Sequence, residues 1–333
     1  MKKFSFIIVA LLVLSLAITG CGGGSSNNGG QKTEEKPKEA VMIVEIPKGD
    51  PFIDLAYSGL EQLGKDKGVN VKIIEALDKS EHEEQIRAMA ELGANPIYVL
   101  WDNLGAAVLE VAPDFPETKF IIADAYVETD LDNVKTIVVE PQEASFIAGF
   151  VAAKTSKTKH VGFVGSMDTP IINRFRAGFE AGVKYADESV KIESVYAGNA
   201  NDPNKGSEIA KLLIGNGADV IMHAANKTGL GVIKACEEEK VLAIGVDEWQ
   251  GSINPDIVFW SALKDIAGAV YKAGESVLDG TFQPGMQVYD INTGISLYDQ
   301  RDFDKLPAEL QQEVRQLEEE LKAGKITVPT TIN

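Results

Sequence analysis

The sequence predicts an α/β protein with two doubly wound parallel-sheet lobes. From residue 41 onward, short apolar and β-branched runs alternate with amphipathic stretches, as is typical of parallel strands joined by crossover helices. This series occurs twice along a chain of 333 residues, of which 44% are hydrophobic and 25% are charged. A chain of this length exceeds what one hydrophobic core normally holds, so two lobes fit better than one long sheet.

The N-terminus has the pattern of a bacterial lipoprotein export signal. Lys2 and Lys3 precede the apolar run FSFIIVALLVLSLAI, which is too short and too early for a typical membrane-spanning helix. The run ends in ITGC, where such a signal is cleaved before a cysteine that carries lipid. We therefore predict a signal peptide over 1–20 and lipid attachment at Cys21. The alternative is an uncleaved N-terminal anchor, and either one places the body outside the cytoplasm.

Residues 21–40 are predicted to form a flexible tether, because GGGSSNNGGQKTEEKPKEA offers no apolar residue able to join a core. The other cysteine, Cys236, cannot pair with a lipidated Cys21, so we expect no disulfide and a core or helix-face position for Cys236. The formal net charge of -18 disfavours nucleic acid and anionic membrane surfaces as partners of the folded part of the chain, because binding to either requires a positively charged surface. A small neutral or cationic ligand is compatible with this charge.

The strands of the two series can be placed from their apolar runs. The first series gives strands at 41–46, 70–76, 96–101, 119–124 and 134–140. The second gives strands at 160–165, 190–198, 218–224, 241–247, 256–262 and 286–298. Between them, apolar residues recur every three or four positions, which predicts helices. We assign 41–141 plus 249–282 to the first lobe and 142–248 plus 283–333 to the second.

Polar and aromatic side chains follow the predicted strands. Ligands of doubly wound sheets bind beyond the carboxyl ends of the strands, so these residues are candidates for a binding site. Taken singly, Asp and Asn at such positions are more often helix caps. Taken together at one edge, they favour a ligand site formed by these side chains: Asp50, Phe52, Trp101, Asp124, Asn226, Asp247 and Trp249.

These segments resemble the basic membrane protein family, the PnrA-like lipoproteins that serve as nucleoside-binding components of ABC importers. The resemblance extends from about Val41 to Asp299 and rests on GDPFIDLAYSGLEQL, KFIIADA, AIGVDEWQ and the long block EASFIAGFVAAKTSKTKHVGFVGSMDTPIINRFRAGFEAGVKYA. It implies a type I periplasmic binding protein fold, in which two α/β lobes are joined by three crossovers and hold a ligand between them.

The resemblance also implies four ligand residues. Phe52 stands where the family stacks an aromatic ring on a purine, and Asp124 and Asp247 match two aspartates that end strands. Lys264 matches a family lysine. It is interpreted as opening a helix, where the dipole disfavours a cation, so we expect it to pair with Asp247 or with the ligand.

Other family positions differ in this chain. Ala200 stands where a second stacking aromatic is expected, and Asn226 and Lys227 replace glycines. Trp249 replaces an acid. Trp249 or Trp101 is therefore a candidate for the missing ring, although Trp249 fits equally well as a packing residue at a hinge where the chain crosses back to the first lobe.

We expect a binding protein rather than an enzyme. HEEQI lacks the HExxH spacing, and the sequence contains neither a nucleophile elbow nor a P-loop, so no cofactor or metal is predicted. His223 either faces the cleft or is structural. The expected function is that of a monomeric lipoprotein on the outer face of the cell membrane, which delivers a small heterocycle, foremost a purine nucleoside, to an ABC permease. Pyrimidine nucleosides and flavins are alternative ligands, and sensing without transport is an alternative role.

Overall fold

The structure is a computed structural model and describes residues 39–332. The predicted signal peptide, the lipid site at Cys21 and almost all of the predicted tether lie outside the described residues. The last two residues of the tether range, Glu39 and Ala40, instead begin the first strand. Within 39–332, the helices all fall short of the length and apolar character needed to cross a membrane.

The first lobe is built on a six-stranded parallel sheet with helices on both faces. The strands are β1 (Glu39–Val44), β2 (Asn70–Glu75), β3 (Ile97–Leu100), β4 (Phe120–Ala123), β5 (Val134–Val139) and β11 (Gly285–Tyr289), in the order β2-β1-β3-β4-β5-β11. The helices are α1 (Pro51–Lys67), α2 (His82–Glu91), α3 (Trp101–Val111) and α8 (Ile266–Leu278). Two separate apolar clusters cover the two faces of this sheet.

The second lobe repeats the plan with five parallel strands. These are β6 (His160–Gly165), β7 (Lys191–Tyr196), β8 (Val220–Ala224), β9 (Leu242–Asp247) and β10 (Val258–Leu263), in the order β7-β6-β8-β9-β10. The helices are α4 (Gln142–Thr155), α5 (Pro170–Ala186), α6 (Pro203–Gly215), α7 (Asn226–Glu239), α9 (Gln300–Phe303) and α10 (Ala308–Lys322). The prediction of two doubly wound parallel-sheet lobes is confirmed.

Three short crossovers join the lobes. The chain passes from the first to the second lobe after β5, returns between β10 and α8, and leaves again after β11 through a 3-10 turn at Ile291–Thr293. Each crossover leaves the carboxyl end of a strand, so all three lie beside the edge at which the loops of both sheets meet.

The structure corrects the predicted lobe boundaries at β10. Residues 249–282 were assigned to the first lobe, but β10 pairs with β9 in the second sheet, and Trp260 is fully buried in the second lobe's core. After Asp247 the chain makes a 3-10 turn at Gln250–Ser252 and returns to the same sheet. The crossover therefore comes only after β10. The sequence could not show this, because a run of buried apolar residues does not itself indicate which sheet it joins.

A second correction concerns the strand predicted at 286–298. Residues 283–333 were assigned to the second lobe, but β11 pairs in parallel with β5 in the first sheet and ends at Tyr289. Asp290 then caps the 3-10 turn by accepting hydrogen bonds from the backbone N–H groups of Asn292 and Thr293. This cap ends the strand at the crossover, so one predicted strand is in fact a strand of the first lobe followed by a connection to the second.

Candidate ligand-binding site

A cavity of about 300 Å³ lies between the lobes, at the carboxyl ends of strands from both sheets. This volume is at the lower end of the roughly 300–1,000 Å³ of small-molecule sites. Six of the predicted site residues line it: Phe52, Trp101, Asp124, Asn226, Asp247 and Lys264. The structure therefore brings together side chains that are up to 212 positions apart in the sequence, from Phe52 to Lys264.

Four of these residues have a left-handed backbone. Trp101 and Asp124 directly follow strands, Asp247 ends one, and Asn226 comes two residues after β8. The φ angles are 65° at Trp101, 59° at Asp124, 49° at Asn226 and 69° at Asp247. Positive φ is uncommon for residues other than glycine, and most costly for a bulky one such as tryptophan. Strain of this kind concentrates at functional sites, where it fixes the direction in which side chains leave the backbone. Because the left-handed conformation recurs near the ends of four strands, we interpret this edge of the two sheets as a binding site.

An aromatic wall belongs to the first lobe. Phe52 lies in the first turn of α1, which is fixed by Asp50: its carboxylate accepts hydrogen bonds from the N–H groups of Phe52 and Ile53 at 3.0 and 3.3 Å. The Trp101 ring stacks on Phe52 with a centroid distance of 5.8 Å and an interplanar angle of 20°. Trp101 Nε1 also donates to Asp124 Oδ2 at 3.2 Å, so packing and a hydrogen bond both orient the wall.

The charge of Lys264 is satisfied by Asp124. Lys264 Nζ lies 2.5 Å from Asp124 Oδ1, and both side chains are buried. The expected pairing with Asp247 is thus corrected: the direct partner is the aspartate of the other lobe. Lys264 also does not open a helix, because α8 begins at Ile266 behind the cap Asp265. The position at the helix N-terminus, where the helix dipole disfavours a cation, is therefore occupied by the capping residue Asp265 and not by Lys264.

Asp247 is the carboxyl with the most altered chemistry. Burial raises its pKa from 3.8 to about 7; Asp124, Asp50 and Glu248 raise it further, and Lys264 opposes the shift. Its Oδ1 atom is buried and makes no hydrogen bond to any other residue in 39–332. Near neutral pH this carboxyl is divided between its protonated and ionised forms, so it can donate a hydrogen bond to a ligand or accept one.

Asp50 and Asn226 join the two lobes across the cleft. Asn226 Nδ2 donates to Asp50 Oδ1 at 3.2 Å, although the residues lie 176 positions apart. Asp50 is not among the residues that line the cavity, which corrects its assignment as a ligand residue. The asparagine that replaces a family glycine therefore makes a direct contact between the lobes.

Trp249 lies outside the cavity, which corrects its assignment as a ligand residue. Its Nε1 donates to Asp302 Oδ1 at 3.0 Å, and the guanidinium of Arg301 lies 3.5 Å from its ring centroid. The alternative of a crossover hinge is also wrong, since the chain does not cross after Asp247. The C-terminal segment that covers this tryptophan could not be placed from local sequence.

Two aromatic residues of the cavity were missed by sequence reasoning, which considered only strand ends. Phe175 lies in the second turn of α5, and Tyr126 follows Asp124 by two residues. Arg174 packs over the Tyr126 ring at 4.3 Å and pairs with Glu140 at 2.8 Å. An aromatic residue early in the helix after a strand, as at Phe52, was the signal that could have identified Phe175.

The other reactive side chains considered from the sequence are structural. His223 is buried in β8, where its Nε2 lies 2.9 Å from Gln250 Oε1 and burial lowers its pKa to about 4. Cys236 is buried in α7, which raises its pKa to about 12. Residues 39–332 contain no cluster of three or more metal-ligating side chains.

Two doubly wound lobes, three crossovers and a cavity at their shared edge define a periplasmic binding protein fold. The chain belongs to the PnrA-like family of ABC transporter substrate-binding proteins, whose model matches residues 36–331. The predicted family is therefore confirmed, and it is a family of substrate-binding proteins.

Similar proteins agree with this assignment. The ABC transporter nucleoside-binding protein BmpA of Lactococcus lactis subsp. cremoris is 28% identical, over 99% of this chain and 100% of that protein. Basic membrane protein A of Borreliella burgdorferi is 27% identical, over 97% of this chain and 95% of its own. A solved ABC transporter solute-binding protein from Aeropyrum pernix superposes with a TM-score of 0.78 at 23% identity, covering 89% of this chain and 94% of the other. That likeness concerns the fold alone.

Proposed function

We propose that the protein captures a purine nucleoside between its lobes and delivers it to an ABC importer. The observation that carries the proposal is the pairing of an aromatic wall, Phe52 with Trp101, with the carboxyl groups of Asp124 and Asp247 in one cavity. Stacking a base on an aromatic ring contributes about 1–3 kcal/mol. Carboxylates are strong acceptors for base amines and ribose hydroxyls. The name of the L. lactis relative supports the same ligand class.

The charge of the cavity favours a nucleoside over a nucleotide. Glu45, Asp102, Asp124 and Asp247 line the cavity, whereas Lys264 is its one lining cation among the described residues and already pairs with Asp124. A phosphate group would therefore meet like charges without a free cation to offset them. A neutral ligand avoids this repulsion.

Closure of the cleft is the signal that a permease would recognise. A ligand that contacts both lobes favours the closed form by its differential affinity for that form. We propose that a lipid on Cys21 holds the monomeric body at the outer face of the membrane, and that the tether lets it reach the permease. A deletion strain should then lose uptake of labelled purine nucleosides and regain it with the full-length gene.

Ligand binding is tested by differential scanning fluorimetry and isothermal titration calorimetry with purine nucleosides, pyrimidine nucleosides, free bases, a flavin and nucleotides. A purine nucleoside at 100 times its Kd should stabilise the fold by about 2.7 kcal/mol. A matched pair of variants locates the site: ligand-induced fluorescence change should be lost in Trp101→Phe and kept in Trp249→Phe, because only Trp101 lines the cavity. Failure of every nucleoside to stabilise the protein, or equal binding of nucleotides, would contradict the proposal.

A further inference from the structure

The side chain of Asp247 leaves the backbone from a tight three-residue turn. The N–H of Glu248 donates a hydrogen bond to the carbonyl oxygen of Val246 at 2.8 Å, so the turn closes around Asp247 alone. Asp247 has a φ of 69°, and a turn of this kind with positive φ is rare and strained. Such a conformation persists only where the surrounding structure holds it. The direction in which the Asp247 carboxyl points therefore depends on contacts made by its neighbours.

Gln250 holds this turn on the second sheet. Its Oε1 accepts a hydrogen bond from the N–H of Val246 at 3.3 Å and lies 2.9 Å from Nε2 of His223. Its own N–H donates to the hydroxyl of Ser261 at 3.2 Å. An added Cβ on Gly245 would lie 2.6 Å from Oε1 of Gln250, so this glycine leaves the space that the amide occupies. These contacts attach the turn to β8, β9 and β10.

Trp249 attaches the same turn to the C-terminal segment. Its Nε1 donates to Oδ1 of Asp302 in α9 at 3.0 Å, whereas Nζ of Lys305 lies 3.7 Å from the same oxygen. Asp302 is fully buried. Burial raises the pKa of its carboxyl, and hydrogen bonds from Trp249 and Ser261 oppose this rise. A buried carboxylate is costly unless it is hydrogen-bonded, so the contact with Trp249 stabilises both segments in this arrangement.

We propose that Asp302 is a positioning residue for ligand binding, which acts through Trp249 to hold the turn that directs the Asp247 carboxyl into the cavity. Asp247 lines the cavity, and Asp302 is not among the described residues that do. The inference rests on the proposed function, because it assigns Asp247 to the ligand. It also means that the C-terminal segment, which lies outside the cavity, contributes to ligand affinity.

The first test measures dissociation constants of adenosine, guanosine and inosine by calorimetry. Trp249→Phe removes the hydrogen-bond donor and Asp302→Ala removes the acceptor, and each should weaken binding about 3- to 10-fold. The double variant should bind about as well as the weaker single variant, because both changes remove the same hydrogen bond. Asp302→Asn keeps an oxygen that can accept from Trp249 and should stay within about twofold of wild type.

An Asp247→Ala background separates positioning from general destabilisation. If Asp302 acts through Asp247, Asp302→Ala should change the affinity of the Asp247→Ala protein by less than about twofold. Leu317→Ala is the matched control, because Leu317 is buried in the second-lobe core on α10; it should lower the thermal midpoint and leave the affinity within about twofold of wild type. An equal effect of Asp302→Ala in both backgrounds, or an equal loss of affinity in Leu317→Ala, would overturn the inference.

A measurement without ligand distinguishes failure of this inference from failure of the proposed function. Burial raises the pKa of Asp247 to about 7. If the turn relaxes in Asp302→Ala and Trp249→Phe, the carboxyl gains contact with water, and its pKa should fall by about 1, toward its ordinary value. Carboxyl ¹³C NMR titration measures this change, and Leu317→Ala should show none. An unchanged Asp247 pKa in both variants overturns the inference even if nucleosides bind. A lowered pKa in a protein that binds no nucleoside supports the positioning role and removes the proposed ligand.

Discussion

At the scale of single residues, the site depends on how three aspartates and one lysine share charge. Asp124 takes the direct ion pair with Lys264, and Asp50 caps α1. Asp247 is left as the carboxyl whose proton is held most tightly by its surroundings. The sequence predicted all four residue positions, but not this division of roles, because it depends on distances between chain segments far apart in sequence.

Asp247→Asn is expected to change how stability varies with pH. The folded protein retains the Asp247 proton up to about pH 7, whereas the unfolded chain releases it near its ordinary pKa of 3.8. Ionisation therefore disfavours folding increasingly as the pH rises from about 4 to 7. Relative to wild type, Asp247→Asn should gain about 1–2 kcal/mol in free energy of unfolding between pH 5 and pH 8, a moderate value because the cavity is open to solvent.

Urea unfolding of both proteins at the two pH values measures this gain. His223 affects stability in the opposite direction, because burial lowers its pKa to about 4. Its contribution to the free energy of unfolding is complete above pH 6.5 and is lost as the pH falls. Since His223 is present in both proteins, its contribution cancels in the difference. A stability difference of the same size at pH 5 and pH 8 would contradict the raised pKa.

At the scale of secondary-structure elements, glycines set how closely helices pack. An added Cβ on Gly59 would lie 2.1 Å from the carbonyl oxygen of Ala267, so α1 and α8 approach each other through backbone contact. Gly149 and Gly182 allow the same approach between α4 and α5. This close packing on α1 holds α8 in the first lobe, although α8 follows directly after β10, a strand of the second lobe. The helices themselves were predictable from periodicity, whereas their partners were not.

Gly59→Ala is therefore expected to destabilise the protein by about 2–3 kcal/mol, because the clashing atom belongs to the backbone and one helix must move. Gly215→Ala is the matched control. It lies at the end of α6 with open space at the position of an added Cβ, and should stay within about 1 kcal/mol of wild type. Thermal unfolding without ligand measures both, and equal midpoints for the two variants would refute the helix contact.

At the scale of the whole molecule, the lobes meet through the hydrogen bond between Asn226 and Asp50. Because both partners are protein side chains, this hydrogen bond requires no ligand atom, and we expect it to favour the closed form of the free protein as well. The net value of one hydrogen bond, about 0.5–1.5 kcal/mol, corresponds to a change of up to roughly tenfold in the ratio of closed to open molecules.

Asn226→Gly should open the free protein while leaving its fold intact, because glycine adopts the φ of 49° at this position without strain. Small-angle X-ray scattering should show a larger radius of gyration for the ligand-free variant and a wild-type value once ligand is bound. Lys227→Gly changes the next residue of the same helix and serves as control. An unchanged radius for ligand-free Asn226→Gly would show that other contacts close the cleft.

The sequence by itself determined the two-lobed α/β architecture, the strand positions and the candidate residues at strand ends, because these follow from local periodicity and from the resemblance to a family. Only the tertiary structure decided that β10 belongs to the second sheet and β11 to the first, that Lys264 pairs with Asp124, and that Trp249 packs under the C-terminal segment while Phe175 lines the cavity. The physical reason is the same in each case. Strand pairing, ion pairing and cavity lining are contacts between segments distant in sequence, and local pattern shows that a residue is buried or polar without showing what it meets.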